Sequence, residues 1–488
     1  MRFSPDEVYA DDMPDPTPHG VNAPPNAGGA VLAVRDPASD ETIASLVMAT
    51  AADAADAADA ASEALGTWRK TPPADRAAVL ERCAEAMVRD VEALARTITL
   101  ESGKPLPEAR GEVRYAADYL RSAAEQTRNL VDEPFDGRRA GVRAVAVREP
   151  IGVCAAVTPW NFPLAMLARK AAPALAAGCA MIAKPAEETP LAAIAFERTL
   201  QACGLPDGVM RVVIGDPGTI VSTWLADPRV RKLTFTGSTE TGRLLLHQAA
   251  DQIVRCSMEL GGHAAFIVLE GADVDAAVAG AVAAKFRNAG QTCICPNRFL
   301  VHESLASAFT ARLALAAASL VVGPGLEPAT QVGPLINDAA VKKVRQHVAD
   351  ALAQGARLVC GGETRRLPNR PDRFFEPTVL ADCHPGLLCF REETFGPVAP
   401  IATVRASGEA VEIANASPWG LAGYVFGPPQ QAEAVARQLA CGVAGVNEAA
   451  PSNAYAPFGG VKWSGFGREG GRWGIDEYLT VKYLAIRA

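Results

Sequence analysis

The stretch NAGQTCICPNR, residues 288–298, sets Cys293 and Cys295 two positions apart behind a Gly-Gln-Thr. Two thiols in that arrangement could ligate a metal, close a disulfide, fill core, or act as a nucleophile with a companion. Zinc requires about four N or S ligands. Neither His263 nor His302 has a second Cys/His cluster to join, which argues against a metal site. A nucleophilic cysteine needs a lowered pKa or a neighbouring base, and donors for the oxyanion it creates. Glu259, beside Gly261 and Gly262 in MELGGH, is a candidate base, and Asn161 of TPWNFP is a candidate amide donor. Distance along the chain does not say whether these groups meet, and an arbitrary cysteine is more often core than catalyst.

Three further segments carry residues suited to binding. FTGSTETG offers Gly237 for close backbone approach, with Ser238 and Thr239 to cap a helix whose free amides could face a phosphate. Its plainer alternative is an N-cap alone. KPAEETP supplies Lys184 and, three residues on, Glu187. A carboxylate at a strand end can accept the ribose hydroxyls of NAD and repel the extra phosphate of NADP; a solvated charge pair is the plainer alternative. GFGREG fits the dinucleotide fingerprint letter for letter. Too few residues follow Gly470 for a βαβ unit of ~30 residues, so it reads as a flexible loop.

The elements that must position these groups alternate. GVCAAVTP, CAMIAKP, VMRVVIG and RKLTFTG read as strands separated by helices, which predicts a parallel sheet covered on both faces. A second series follows Glu259, with AAFIVLE and RFLVHE as strands. The Ala-Ala-Asp repeat near residues 49–65 predicts a helix, since alanine is the best helix former. Helical pattern continues to about residue 129, broken at SGKPLP. Ligand sites in such sheets lie beyond the carboxyl ends of the strands, where TPWNFP, KPAEETP, FTGSTETG and MELGGH fall.

The 488 residues are too many for a single core. Hydrophobic residues at 49%, charged residues at 21% and a formal net charge of −8 describe an ordinary globular chain with no basic footprint for nucleic acid or membrane. Eleven scattered cysteines without an apolar leader point to reduced thiols in a cytoplasm.

TPWNFP, KPAEETP, FTGSTETG, ELGGH, GQTCIC, EETFGPV and PFGGVKWSGFGREG occur in the order shown by the aldehyde dehydrogenase superfamily, and the resemblance covers roughly residues 30 to 488. It implies that Cys293 attacks the aldehyde carbonyl, that Asn161 holds the oxyanion, and that Glu259 activates the water that hydrolyses the thioester. For the cofactor, NAD in preference to NADP, it implies Thr158, Trp160, Lys184, Glu187, Gly237, Ser238, Glu393 and Phe395, with no metal. Within the superfamily the chain looks most like succinate-semialdehyde dehydrogenases. Arg169, Arg287 and Ser452 match positions that grip a substrate carboxylate there, and arginine's fork suits that task. Internal salt bridges are the plainer alternative for both arginines. Glutarate semialdehyde or another aldehyde is the alternative substrate, and acyl transfer to coenzyme A the alternative reaction. Cys295 is either packing or a redox partner of Cys293.

The implied α/β architecture has an extended arm (1–29), a Rossmann-like NAD-binding domain (30–129 and 147–258) and a catalytic domain (259–470). A small β oligomerisation arm (130–146 and 471–488) completes it, so a homodimer or homotetramer is expected.

Overall fold

In the computed structural model, which describes residues 30–487, three sheets of three or more strands carry the chain, beside two two-stranded ones. The arm expected over residues 1–29 lies outside the described residues. Thr50 and Asp53 form a capping box at the start of the alanine-rich helix Ala51–Trp68, where Ala54, Ala57, Ala58 and Ala61 turn inward. That three- and four-residue spacing places them on one helical face. The expected helix is therefore present, starting two residues later and ending three residues later than predicted.

The six-stranded sheet runs in the order Gly465–Phe466, Arg255–Glu259, Val230–Thr236, Val153–Val157, Ala180–Lys184, Met210–Val212. All of it is parallel except the Gly465–Phe466 edge. Alternate residues of its strands face opposite cores. Cys154, Ala156, Met181 and Ala183 pack with the helices Pro73–Arg89, Leu106–Arg128 and Pro163–Ala177, while Val153, Ala155, Ala180 and Ile182 pack with Ala51–Trp68 and Pro217–Ala226. This is the double cover that a run of small apolar residues without polar alternation dictates.

A seven-stranded sheet holds Ala264–Val268 and Pro296–His302 at its centre, and one large core surrounds it. The third sheet is antiparallel, with Leu479–Arg487 paired along its whole length to Val142–Pro150, and Glu133–Phe135 on the far side. Val481, Tyr483 and Phe135 are exposed on it.

GFGREG is not the flexible loop its glycines suggested. Gly465 and Phe466 pair with Glu259 and Met258, and Glu469 is 5% exposed. Positive φ at Gly465, Gly467 and Gly470 lets the segment wind tightly through the interior.

Candidate active site

The register of the six-stranded sheet sets Val157 beside Lys184 and Phe235, and Thr236 beside Glu259. The carboxyl ends of four parallel strands thus lie side by side, which is where an open α/β sheet binds ligands.

Cys293 follows a loop held in an unusual conformation. Asn288 and Ala289 both take left-handed φ, at 50° and 54°. Asparagine tolerates this region; alanine there costs about 1–2 kcal/mol. The surroundings hold the loop in place. Asn288 N donates to Glu108 Oε2 at 2.8 Å, and Asn288 Nδ2 to the carbonyls of Asn161 (3.0 Å) and Gln291 (3.2 Å). Ile336 N donates to Gln291 Oε1 at 2.9 Å. Gly290 and Gly262 complete the seat, since a Cβ on either would fall 2.2 Å from the Gly396 or the Cys293 carbonyl oxygen.

Asn161 stands opposite, 4% exposed, with Nδ2 donating to Gln291 O at 3.0 Å and Oδ1 unpartnered. Lys104 Nζ donates to Asn161 O at 2.7 Å and pairs with Glu112. Glu112 also accepts Leu164 N and Ala165 N, capping the helix Pro163–Ala177 that begins just after Asn161. Sequence reasoning missed Lys104, Glu108 and Glu112. Their signal was present: a four-residue spacing through KPLPEARGE puts all three toward one side of the chain as it enters the helix Leu106–Arg128.

Glu259 ends its strand 3% exposed, with neither carboxylate oxygen hydrogen-bonded. Burial, reinforced by the charge of Glu469, holds its carboxyl well above the usual carboxylate range, against the opposing pull of Arg169 and Lys170. Burial also pushes the Cys293 thiol up to about 12, with Arg169 and Arg287 drawing it back. Cys295 is 1% exposed, and its sulfur accepts from Lys285 Nζ at 3.3 Å. These are the contacts of a packed core thiol.

The remaining expected residues divide. Trp160 and Phe395 meet edge to face with ring centroids 5.5 Å apart. Glu393 accepts Gly262 N at 3.1 Å, and burial raises its carboxyl to about 7. Ser238 caps the helix Thr239–Ala250 by accepting Thr241 N at 3.1 Å, with Gly237 immediately before it. Lys184 and Glu187 are in direct contact. Thr158 Oγ1 and Thr236 Oγ1 are buried without a partner at the same strand ends. Orphaned hydroxyls, a capped helix start, a lysine and carboxylates placed to accept hydroxyls form a donor and acceptor set that fits a dinucleotide.

The two arginines part company. Arg169 is 2% exposed, its Nε 2.8 Å from Glu469 Oε2 and its plane 4.1 Å from the Phe458 ring centroid. Arg169 thus has an internal salt bridge, to a Glu469 that is folded in beside it and is shared with Lys170. Arg287 is exposed, has no carboxylate within 4 Å among the described residues, and lies 5.4 Å from the ring centroid of Phe162, the residue after Asn161. Ser452 hydrogen-bonds Tyr115 Oη at 2.6 Å.

Residues 25–484 match the aldehyde dehydrogenase family. The chain is 44% identical to a glutarate-semialdehyde dehydrogenase of Pseudomonas aeruginosa, over 94% of each chain. It is also 44% identical to the NADP(+) succinate-semialdehyde dehydrogenase of Escherichia coli, over 94% of this chain and 95% of that one. Among solved structures, the succinate-semialdehyde dehydrogenase from Burkholderia pseudomallei superposes with a TM-score of 0.92 at 47% identity, covering 94% and 95% of the two chains.

Proposed function

As the chain belongs to the aldehyde dehydrogenase family, we propose that it oxidises succinate semialdehyde to succinate with NAD. The observation that carries the substrate class is Arg287: a guanidinium with no carboxylate within 4 Å among the described residues, close enough to Cys293 for its charge to lower the thiol's pKa. A cation left unpaired beside a nucleophile favours a substrate that brings its own carboxylate. Glutarate semialdehyde is the second reading. A relative carries that name, and one methylene is worth only ~1–3 kcal/mol of discrimination in a pocket.

In this reading the Cys293 thiolate adds to the aldehyde carbon. The oxyanion is held by Cys293 N–H and by Asn161 Nδ2, whose second N–H is not used by Gln291. When bound, NAD would supply a hydride acceptor, and Lys184 and Glu187 would hold its adenosine ribose, Ser238 its pyrophosphate and Glu393 its other ribose. Loss of hydride from the former aldehyde carbon leaves a thioester on Cys293. Glu259 takes a proton from water as it attacks; the C–S bond breaks, and the acid and the Cys293 thiolate leave each other. Glu259 favours this hydrolysis over transfer to coenzyme A.

Two measurements test the assignment. In Arg287→Ala, kcat/KM for succinate semialdehyde should fall roughly 10–100-fold, the worth of a hydrogen bond to a charged group, while butyraldehyde changes little. Equal losses on both substrates would leave only general aldehyde oxidation. In Glu187→Gln, removal of one negative charge should shift the kcat/KM ratio toward NADP by about fivefold, from ~1 kcal/mol between charges 4 Å apart in water. An unchanged ratio would remove Glu187 from cofactor choice.

The outer strand Leu479–Arg487 leaves one edge unpaired, with Val481 and Tyr483 exposed, which suits pairing with a second copy of the chain. No helix among the described residues is long and apolar enough to cross a membrane.

A further inference from the structure

We propose that Tyr115 and Tyr119 are specificity-determining positioning residues, through which Arg169 fixes the hydroxyl of Ser452 as a proton donor toward the substrate carboxylate. The inference rests on the carboxylate-bearing substrate proposed above and adds residues that neither the motifs nor the arginine pair contain.

The geometry is a single line of hydrogen bonds. Arg169 Nη2 lies 2.8 Å from Tyr119 Oη, Tyr119 Oη lies 3.0 Å from Tyr115 Oη, and Tyr115 Oη lies 2.6 Å from Ser452 Oγ. Distances alone do not say which hydroxyl donates at the last two links. The first link does. A guanidinium has five N–H donors and no acceptor, so Tyr119 Oη must accept from Arg169. Its own proton then has one oxygen within reach among the described residues, Tyr115 Oη. Tyr115 in turn accepts from Tyr119, and its proton goes to the one remaining partner, Ser452 Oγ. Ser452 accepts, and its proton is left to point away from the chain of hydroxyls.

Several features hold that polarity in place. Tyr115 and Tyr119 are four residues apart on the helix Leu106–Arg128, so their hydroxyls meet on one face, and their rings pack edge to face at 5.0 Å. Burial raises the Tyr119 phenol well above its ordinary value, which keeps its proton on and available to donate. Glu469 anchors the far end by holding Arg169 Nε, and the Phe458 ring covers the guanidinium. Arg169 is thus held in place while its charge polarises the line.

A directed hydroxyl discriminates by kind of partner. A carboxylate is acceptor-only and satisfies the Ser452 proton without competition. A methyl terminus leaves that donor unpaired, and an amide or ammonium terminus presents donors to it. With Arg287 supplying charge and Ser452 a fixed donor, the carboxylate end is read by two groups that differ in nature. One is an exposed cation; the other is a hydroxyl whose direction is set from behind.

The test is a double-mutant cycle on the ratio of kcat/KM for succinate semialdehyde to that for butyraldehyde. Tyr115→Phe removes one oxygen and should lower the ratio roughly tenfold, through KM for the acid, with kcat kept. Ser452→Ala should do the same, and Tyr115→Phe on top of Ser452→Ala should add nothing. A folding defect would depress both substrates together and leave the ratio alone. Should Tyr115→Phe not fold, Tyr119→Phe breaks the same line one link further back and should reproduce the drop. The inference is overturned if Tyr115→Phe keeps the full acid preference, or if the two substitutions add independently. It falls together with the substrate assignment if the wild type shows no preference for the acid. If the wild type prefers the acid and Arg287→Ala destroys that preference while Tyr115→Phe does not, the assignment stands and only the hydroxyl line is lost.

Discussion

Cys293→Ala is expected to lower aldehyde oxidation by about 10⁴-fold or more, the scale seen when a nucleophile that works as part of a unit is removed. No other thiol can substitute. Cys295, two residues on, is buried and its sulfur is engaged by Lys285. Cys293→Ser should be almost as inactive, because a hydroxyl is far harder to ionise than a thiol. The substitution removes a half-buried sulfur, so the folded state should persist, and circular dichroism should match the wild type. Absorbance at 340 nm with NAD and succinate semialdehyde reads the loss; residual activity above about one per cent would point to a different nucleophile. In the wild type, iodoacetamide labelling of Cys293 should speed up as pH rises. Burial lifts that thiol to about 12, so the reactive thiolate fraction grows throughout the accessible range.

Glu259→Gln should separate the two halves of the reaction. Steady turnover is expected to drop ~10²–10⁴-fold, the usual contribution of a positioned base. The first turnover should survive, because thiol attack and hydride loss precede the hydrolysis that Glu259 serves. Rapid mixing should then reveal a burst of NADH close to one equivalent per active site, followed by a slow phase. The pH dependence follows from the raised carboxyl. With its pKa above the usual carboxylate range, Glu259 is protonated on the acid side and becomes a base only as pH rises through that value. The wild-type steady rate should therefore climb with pH. In Glu259→Gln the part of that climb owed to hydrolysis should be gone. Absence of a burst would mean that Glu259 acts before the thioester forms.

Candidates for nucleophile, base and amide donor could be named as residue types because the chemistry admits few alternatives at each post. The parallel sheets were legible too, since apolar runs between helices have few other uses, and the alanine repeat declared its helix through Thr50 and Asp53. What could not be read was the set of contacts that holds those posts in place. Ser452 and Tyr115 are 337 positions apart, and Lys170 and Glu469 are separated by 299. No local pattern relates such pairs. The same blindness made GFGREG resemble a mobile loop, when the carboxylate it carries neutralises two buried cations. It also made Arg169 and Arg287 look equivalent, although Arg169 is buried beside Glu469 and Arg287 is exposed.

A single oxygen has the broadest consequence. The carbonyl of Asn161 receives both Lys104 Nζ and Asn288 Nδ2, and Asn288 belongs to the loop that leads into the seven-stranded sheet. The joint therefore works like a keystone. Asn161, the proposed oxyanion donor, and the loop that leads to Cys293, the proposed nucleophile, press on the same stone from opposite sides. A displacement of the loop around Asn288 would therefore pull on the backbone of Asn161, so the two segments are tied at one atom.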